Sequence, residues 1–209
     1  MGFERFSARD FEVFAISGFQ GRMGAIRGRV RPKLESLGEA LLPDLARLAG
    51  DEVFAHVAKH ARRTVNPPDD TWVAFGPDRR GYKKAQHFKV AISRHATRFL
   101  FEIGPEHAEK RRWAAAWKLK APKLAPALKA ARGLAWFRNE HDEEPRALLA
   151  DLSAGEITGL ADELTRTRDG QLVLGRRAGA AEVVTWGPEE YRAVAVATFT
   201  PLAPLYRLG

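Results

Sequence analysis

Apolar residues recur at intervals of three and four over the first fifty residues, which is the spacing of one face of a helix. Ser7 can cap a short first helix, and Gly18 then ends it. The longer stretch from Gln20 to Leu48 is predicted to be helical, with Pro32 and Pro43 kinking or dividing it. Its buried stripe is predicted to consist of Met23, Ile26, Val30, Leu34, Leu37, Leu41, Leu45 and Leu48.

From Val53 onward apolar residues alternate with polar ones, which is typical of strands. The predicted strands are 53–57, 71–75, 88–92, 98–103, 134–138 and 171–177. The predicted helices are 105–132, with breaks at Pro122 and Pro126, then 153–167 and 188–200. This order favours an α+β fold, a two-layer sandwich of helices on a mainly antiparallel sheet. No segment resembles a linker, so one domain spanning residues 1–209 is the simplest organisation.

Composition limits the class of protein. The hydrophobic fraction of 45% is enough to form a core, and the absence of cysteine excludes disulfides, thiolate nucleophiles and thiolate zinc sites. The first residues carry no apolar signal segment, and no apolar run is long enough to span a bilayer, so we expect a cytoplasmic protein without membrane contact. The net charge of +8 favours anionic partners, although an arginine-rich surface alone also produces such a charge.

The run from His56 to Phe75 concentrates the candidate chemistry. His56 and His60 are four residues apart, a spacing that suits a shared metal only on a helix, and the neighbouring Lys59, Arg62 and Arg63 would repel a cation. We therefore predict no metal and no cofactor. The histidines suit general acid–base work better, because an imidazole beside cations stays neutral near physiological pH.

In that acid–base hypothesis His56 or His60 is the base, and Asp69 or Asp70 orients it. The alternative is structural: the histidines pack and form ordinary hydrogen bonds, and Asp69 caps the turn that follows Asn66. Whether the chain is an enzyme stays open.

Anion binding is the most specific interpretation of the same region, because arginine forks and lysine charges suit phosphate or carboxylate groups. The candidate ligand-binding residues are Lys59, Arg62, Arg63, Arg80, Tyr82, Lys83 and His87. In a simple meander the loop after Ala58 and the turn around Arg80 lie at opposite ends of the sheet. We therefore expect the two basic groups to converge only if the 59–70 connection is not a hairpin.

A second basic cluster resembles a nucleic-acid surface, since charge and aromatic residues alternate in it. It consists of Lys110, Arg111, Arg112, Lys118, Lys120, Lys123 and Lys129 with Trp113 and Trp117. The wet face of an amphipathic helix with two core tryptophans has the same pattern. This gives a second hypothesis, a nucleic-acid or ribonucleoprotein binder. A third is a structural partner protein without catalytic activity, which uses its apolar segment Phe199 to Leu208.

Several established motifs are absent, including the P-loop, the dinucleotide glycine pattern and the serine nucleophile elbow. The acidic stretch Glu140, Asp142, Glu143 and Glu144, which includes His141, could contribute a carboxylate to a site, but a solvated loop is its ordinary explanation.

The run from His56 to Trp72 also resembles the YktB family of small bacterial proteins of unknown function. Arg80 to Lys84, His87-Phe88, Arg31 to Leu34 and Pro201 to Tyr206 continue the likeness. It is close in the first half of the chain and looser after Ile103. The resemblance implies a single α+β domain whose two-layer sandwich is similar to the catalytic architecture of biotin ligases and class II synthetases. It implies no particular activity.

Overall fold

The computed structural model describes residues 3–208 of the chain. Within them, seven strands form one sheet in the order β1-β2-β3-β4-β7-β5-β6, and every neighbouring pair is antiparallel. The strands are β1 (Phe54–Val57), β2 (Asp70–Gly76), β3 (His87–Ser93), β4 (Ala96–Ile103), β5 (Ala135–Phe137), β6 (Ala147–Leu148) and β7 (Leu172–Gly179).

The helices lie on one face of this sheet and are numbered in chain order. They are α1 (Ala8–Glu12), α2 (Phe19–Ala25), α3 (Arg31–Ala49), α4 (Lys110–Ala130), α5 (Ala154–Gly159), α6 (Asp162–Arg166), α7 (Ala180–Val183), α8 (Pro188–Phe199) and α9 (Ala203–Tyr206). Two 3₁₀ turns (Val13–Ala15 and Leu149–Asp151) and a π-helical segment (Ile26–Val30) complete the set. This confirms the α+β fold of helices on an antiparallel sheet.

The two faces of the sheet differ in chemistry because successive side chains of a strand point to opposite faces. One face is apolar and carries the helices: Phe88 packs on Phe199, Phe99 on Tyr191, and Phe101 on Trp113. The opposite face, which we call the polar face, carries the other residues of the same strands. Its central side chains are Asp70, Trp72, His87, Lys89, Arg98, Glu102 and Arg177. Loops rather than helices cover it.

The prolines interrupt the helices less than the sequence predicts. Pro43 lies inside α3, and Pro122 and Pro126 lie inside an unbroken α4, so the predicted breaks are wrong. Each of these prolines is on the solvent side, where the carbonyl that loses its hydrogen-bond donor can bond water instead. The opposite side of α4 packs into the core through the buried residues Ala121, Ala125 and Leu128.

Other differences are local. The predicted helix 153–167 is two short helices, α5 and α6, and the pattern gave no indication of β6, α7 or α9. Among residues 3–208, no helix combines the length and the apolar character that a membrane span requires.

Candidate functional site

A cleft of about 850 Å³ lies beside edge strand β1, and we call it the edge cleft. Its second wall is the loop 77–86, which folds back instead of running away from the end of β2. Two hydrogen bonds hold this loop: His56 Nε2 to the Asp78 carbonyl oxygen at 3.0 Å, and Trp72 Nε1 to the Tyr82 hydroxyl at 2.8 Å. Lys59 at the end of β1 therefore lines the same cleft as Arg80.

This corrects the expectation about convergence. β1 and β2 are antiparallel neighbours, so the 59–70 connection does join a hairpin. Lys59 and the basic residues around Arg80 nevertheless line one cleft, because the loop 77–86 folds back along the sheet.

The edge cleft carries a positive excess. Its basic side chains are Arg31, Lys59, Arg80, Lys83 and Lys84, and its acidic ones are Glu35, Asp78 and Glu106. Two exposed ion pairs lie in its rim, Arg31 with Glu35 at 2.8 Å and Lys83 with Glu106 at 3.1 Å. Within residues 3–208, Lys59 and Lys84 have no carboxylate within ion-pair distance.

Arg62 and Arg63 do not line this cleft. Both are exposed in the turn after β1, where the Arg63 backbone N–H donates to the His60 carbonyl at 3.1 Å. The structure therefore separates them from Lys59, Arg80, Tyr82 and Lys83, which do line the cleft. They lie at the turn of the β1–β2 hairpin, where both side chains are exposed to solvent.

The two candidate bases occupy different environments. His60 Nε2 lies 3.1 Å from the Thr71 hydroxyl, and its ring packs edge-on against Trp72. Burial lowers the pKa of His60 to about 4, so the ring is neutral at physiological pH. Burial also lowers the pKa of His56, whose ring packs against Tyr82.

Neither proposed carboxylate orients these histidines. Asp69 is exposed and pairs with Arg22 at 2.8 Å. Asp70 is buried on the polar face and bonds Arg98 and a different histidine, His141. The predicted pairing of Asp69 or Asp70 with His56 or His60 is therefore wrong, since the strand directs Asp70 toward the middle of the sheet.

Asp70 and His141 form a carboxylate–imidazole pair. His141 Nδ1 lies 3.1 Å from both Asp70 oxygens, and a carboxylate can only accept, so Nδ1 holds the proton. The hydrogen bond from His141 and the charge of Arg98 outweigh burial and lower the pKa of Asp70. The His141 side chain is half exposed, and its Nε2 lies 3.7 Å from Glu140 Oε1.

The opposite end of the polar face holds a second buried network. Glu102 Oε2 lies 3.2 Å from His87 Nε2 and 3.4 Å from Lys89 Nζ. Burial would raise the pKa of Glu102, but the charges of Lys89 and His87 outweigh it and lower that pKa to about 2. Lys89 is fully buried, with its ammonium 4.2 Å from the Trp72 ring centroid, and burial lowers its pKa. His87 therefore serves this network and does not line the edge cleft.

Residues 138–146, which we call the acidic loop, cover this face. Glu140 contacts the Lys89 ammonium, and Arg98 Nη1 donates to the carbonyl oxygens of Glu140 at 2.7 Å and Asp142 at 2.9 Å. The segment is a partly solvated loop, as the sequence predicts, and its Glu140 also supplies a carboxylate to a buried cation of the sheet.

The apolar pattern gives no functional role to Lys89, Arg98 and Glu102, although the sequence carries a signal for them. All three alternate with buried apolar residues in predicted strands, and their opposite charges lie on neighbouring strands. Polar residues that alternate with apolar ones in a strand ordinarily indicate a sheet face exposed to solvent. Here the acidic loop covers that face and buries them.

The tryptophans of the second basic cluster belong to the core. Trp113 and Trp117 are buried and stack on each other with centroids 5.9 Å apart. Trp117 Nε1 donates to the carbonyl oxygens of Ile157 and Thr158. They present no stacking surface to a base, so the aromatic part of the nucleic-acid interpretation is lost.

The apolar C-terminal segment also packs inside. Phe199, Leu202, Leu205 and Tyr206 are buried, and Tyr206 stacks on Phe88. This segment therefore offers no exposed apolar surface to a partner protein.

Comparison with known proteins places these features in a family context. The sequence profile of the family described as "Domain of unknown function (DUF1054)" matches residues 6–206. A UPF0637 protein of Bacillus licheniformis is 33% identical over 204 residues, which is 98% of this chain and 95% of that protein. One of Bacillus velezensis is 34% identical over 204 residues, 98% of this chain and 96% of the relative. One of Macrococcus caseolyticus is 33% identical over 201 residues, 96% and 97% of the two chains.

Proposed function

The chain belongs to the DUF1054 family of UPF0637 proteins, as its resemblance to YktB predicts, and we propose that it binds a small anionic ligand in the edge cleft. The ligand carries a phosphate or carboxylate group. The single observation that supports this most is the meeting of Lys59, Arg80 and Lys83 from two separate loops around one concave space of about 850 Å³.

Charge is the first argument. The pairs of Arg31 with Glu35 and of Lys83 with Glu106 are exposed, and such pairs contribute little to stability. A ligand oxyanion can therefore replace the carboxylate of either pair at small cost. Lys59 and Lys84 add point charges, while Arg80 is 92% exposed and able to swing its fork toward an anion.

Neutral donors are the second argument. Burial raises the pKa of Tyr82 to about 12, so its hydroxyl keeps its proton at physiological pH. The hydroxyl oxygen accepts from Trp72 Nε1 and can direct its own proton toward a ligand. His56 bonds the Asp78 carbonyl through Nε2, which fixes the orientation of its ring at the cleft wall.

The test is ligand-induced thermal stabilisation across a panel of phosphate and carboxylate metabolites, with inorganic pyrophosphate as the reference probe. Lys59→Ala/Arg80→Ala removes two charges from the cleft, and we expect it to abolish the shifts. Arg62→Ala/Arg63→Ala removes the same charge outside the cleft and is the matched control, which should retain them. Equal shifts in both variants, or no hit for the wild-type protein, would overturn the proposal.

A further inference from the structure

Two arginines face each other on the polar face. β4 pairs with β7 so that Arg98 lies directly opposite Arg177. Like charges opposite each other on neighbouring strands repel. Among residues 3–208, the buried Nε atoms of both guanidinium groups find no hydrogen-bond partner. Buried donors ordinarily find an acceptor, so this pair lacks acceptors that an anion would supply.

The acidic loop supplies part of what is missing. Glu144 Oε1 lies 3.0 Å from Arg177 Nη2, and Glu140 contacts Lys89. Arg98 donates only to backbone carbonyl oxygens of this loop. Its other acceptor is Asp70 Oδ2, which belongs to the sheet and lies at 2.6 Å. The loop thus places carboxylates beside Lys89 of β3 and Arg177 of β7, and only backbone carbonyl oxygens beside Arg98 of β4.

The acidic loop connects β5 to β6 without helix or strand, and the Glu144 side chain is 74% exposed. Side-chain contacts hold the loop on the sheet, since His141 pairs with Asp70 and Arg98 donates to two loop carbonyl oxygens, so a ligand enters only by replacing some of these contacts. Small residues of the sheet lie next to the cationic side chains beneath the loop: Ala91, Ser93, Ala96 and Gly179.

The charge balance of the face depends on the loop. Without Glu140 and Glu144, three cations (Lys89, Arg98 and Arg177) share the face with only two carboxylates, Asp70 and Glu102. Lys89 and Arg98 are fully buried, so their charges act in a medium that screens them poorly. An incoming oxyanion can therefore take the place of the Glu140 and Glu144 carboxylates beside these cations.

We propose that the polar face between Lys89, Arg98 and Arg177 is a second anion-binding site, for a small molecule with carboxylate or phosphate groups. The carboxylates of the acidic loop occupy it until such a ligand displaces them. The site is separate from the edge cleft and stands whether or not the cleft binds a ligand. A guanidinium pair with open Nε–H groups suits a planar or tetrahedral oxyanion.

The experiment is calorimetric titration of inorganic pyrophosphate in a Lys59→Ala/Arg80→Ala background, which removes the edge cleft from the measurement. Adding Glu140→Gln/Glu144→Gln removes the competing carboxylates, and we expect the affinity to rise about tenfold because the binding-competent state becomes more populated. Adding Arg177→Gln as well should reverse this gain. Arg177 is chosen because it is partly exposed, whereas Lys89 and Arg98 are fully buried.

Two further comparisons keep the proposal falsifiable if the Arg177 variant does not fold. Glu12→Gln/Glu190→Gln makes the same charge change at exposed positions elsewhere, and it should leave the affinity unchanged. Pyrophosphate should also accelerate hydrogen exchange of the backbone amides in residues 138–146. The proposal is overturned by an absent gain, by an equal gain in the control, by a gain that survives in a folded Arg177→Gln variant, or by unchanged exchange of the loop.

Discussion

Trp72 Nε1 donates a 2.8 Å hydrogen bond to the Tyr82 hydroxyl, and this bond joins the loop 77–86 to the polar face. It determines the shape of the edge cleft, because Tyr82 is in the middle of the loop that forms its wall. Trp72 also packs against His60 and over the Lys89 ammonium, so one indole contacts both candidate sites.

Tyr82→Phe should therefore lower both stability and ligand affinity. The change leaves the half-buried Trp72 N–H without its acceptor, which costs about 1–3 kcal/mol. Tyr206→Phe is the matched control, because no group in residues 3–208 hydrogen-bonds the buried Tyr206 hydroxyl and its removal should be neutral or stabilising. Urea denaturation measures the stability of both variants. Equal destabilisation of the two variants would contradict the role assigned to the Trp72–Tyr82 bond.

Glu102→Gln should be strongly destabilising. The change leaves the fully buried Lys89 with less compensating charge, and breaking a buried ion pair from one side costs about 3–5 kcal/mol. Glu190→Gln, on the exposed side of α8, should stay within about 0.5 kcal/mol of the wild-type protein. Chemical denaturation at pH 7 distinguishes the two, and a Glu102 variant as stable as the wild type would show that the network is not needed.

Stability should fall as the pH drops from about 6.5 to about 4. Burial depresses the pKa of His60 from 6.5 to about 4, so the unfolded chain binds a proton that the folded protein refuses in this range. The stabilising contribution is complete above pH 6.5 and lost as the pH falls toward 4. His60→Gln should flatten this dependence in thermal denaturation curves. An unchanged slope in that variant would assign the dependence to other groups.

A second loss of stability should follow at lower pH. The charges of Lys89 and His87 hold the pKa of Glu102 at about 2, against an ordinary pKa of 4.5, so its contribution to stability is present above pH 4.5 and lost as the pH falls toward 2. Glu102→Gln should remove this component while the His60 component remains. Acid titration followed by circular dichroism measures it, and an identical acid transition in both proteins would refute the assignment.

Trp117→Ala should act on folding. The side chain is fully buried and stacked on Trp113, so its truncation should cost about 3–5 kcal/mol. A nucleic-acid surface would instead predict a variant of normal stability with weakened, salt-sensitive binding. Thermal denaturation together with a filter-binding assay on mixed RNA separates these outcomes.

The periodicity of apolar residues predicts the sheet well. Every strand expected between residues 53 and 103 is present within a few residues, because a strand with one face in the core has a pattern of period two. The same pattern cannot tell what covers the other face. Lys89, Arg98 and Glu102 alternate like solvent-facing residues, and only the acidic loop some forty residues later buries them.

The residues of the edge cleft could be predicted only in part, because a sequence pattern does not tell which loops approach each other in the fold. Lys59, Arg80, Tyr82 and Lys83 do share a cleft, but through a loop that folds back on a hydrogen bond between Trp72 and Tyr82. Such a contact depends on tertiary geometry. The direction of Arg62 and Arg63, in a long loop without periodic pattern, could not be read from the residues alone.

The most direct test of anion binding in the edge cleft is a calorimetric titration of inorganic pyrophosphate into three proteins at one fixed ionic strength. The wild type and Arg62→Ala/Arg63→Ala should bind with the same affinity. Lys59→Ala/Arg80→Ala should bind at least about tenfold more weakly, since two charge-assisted contacts are lost. Equal affinity in all three, or a loss confined to the Arg62→Ala/Arg63→Ala variant, would contradict the assignment of the cleft.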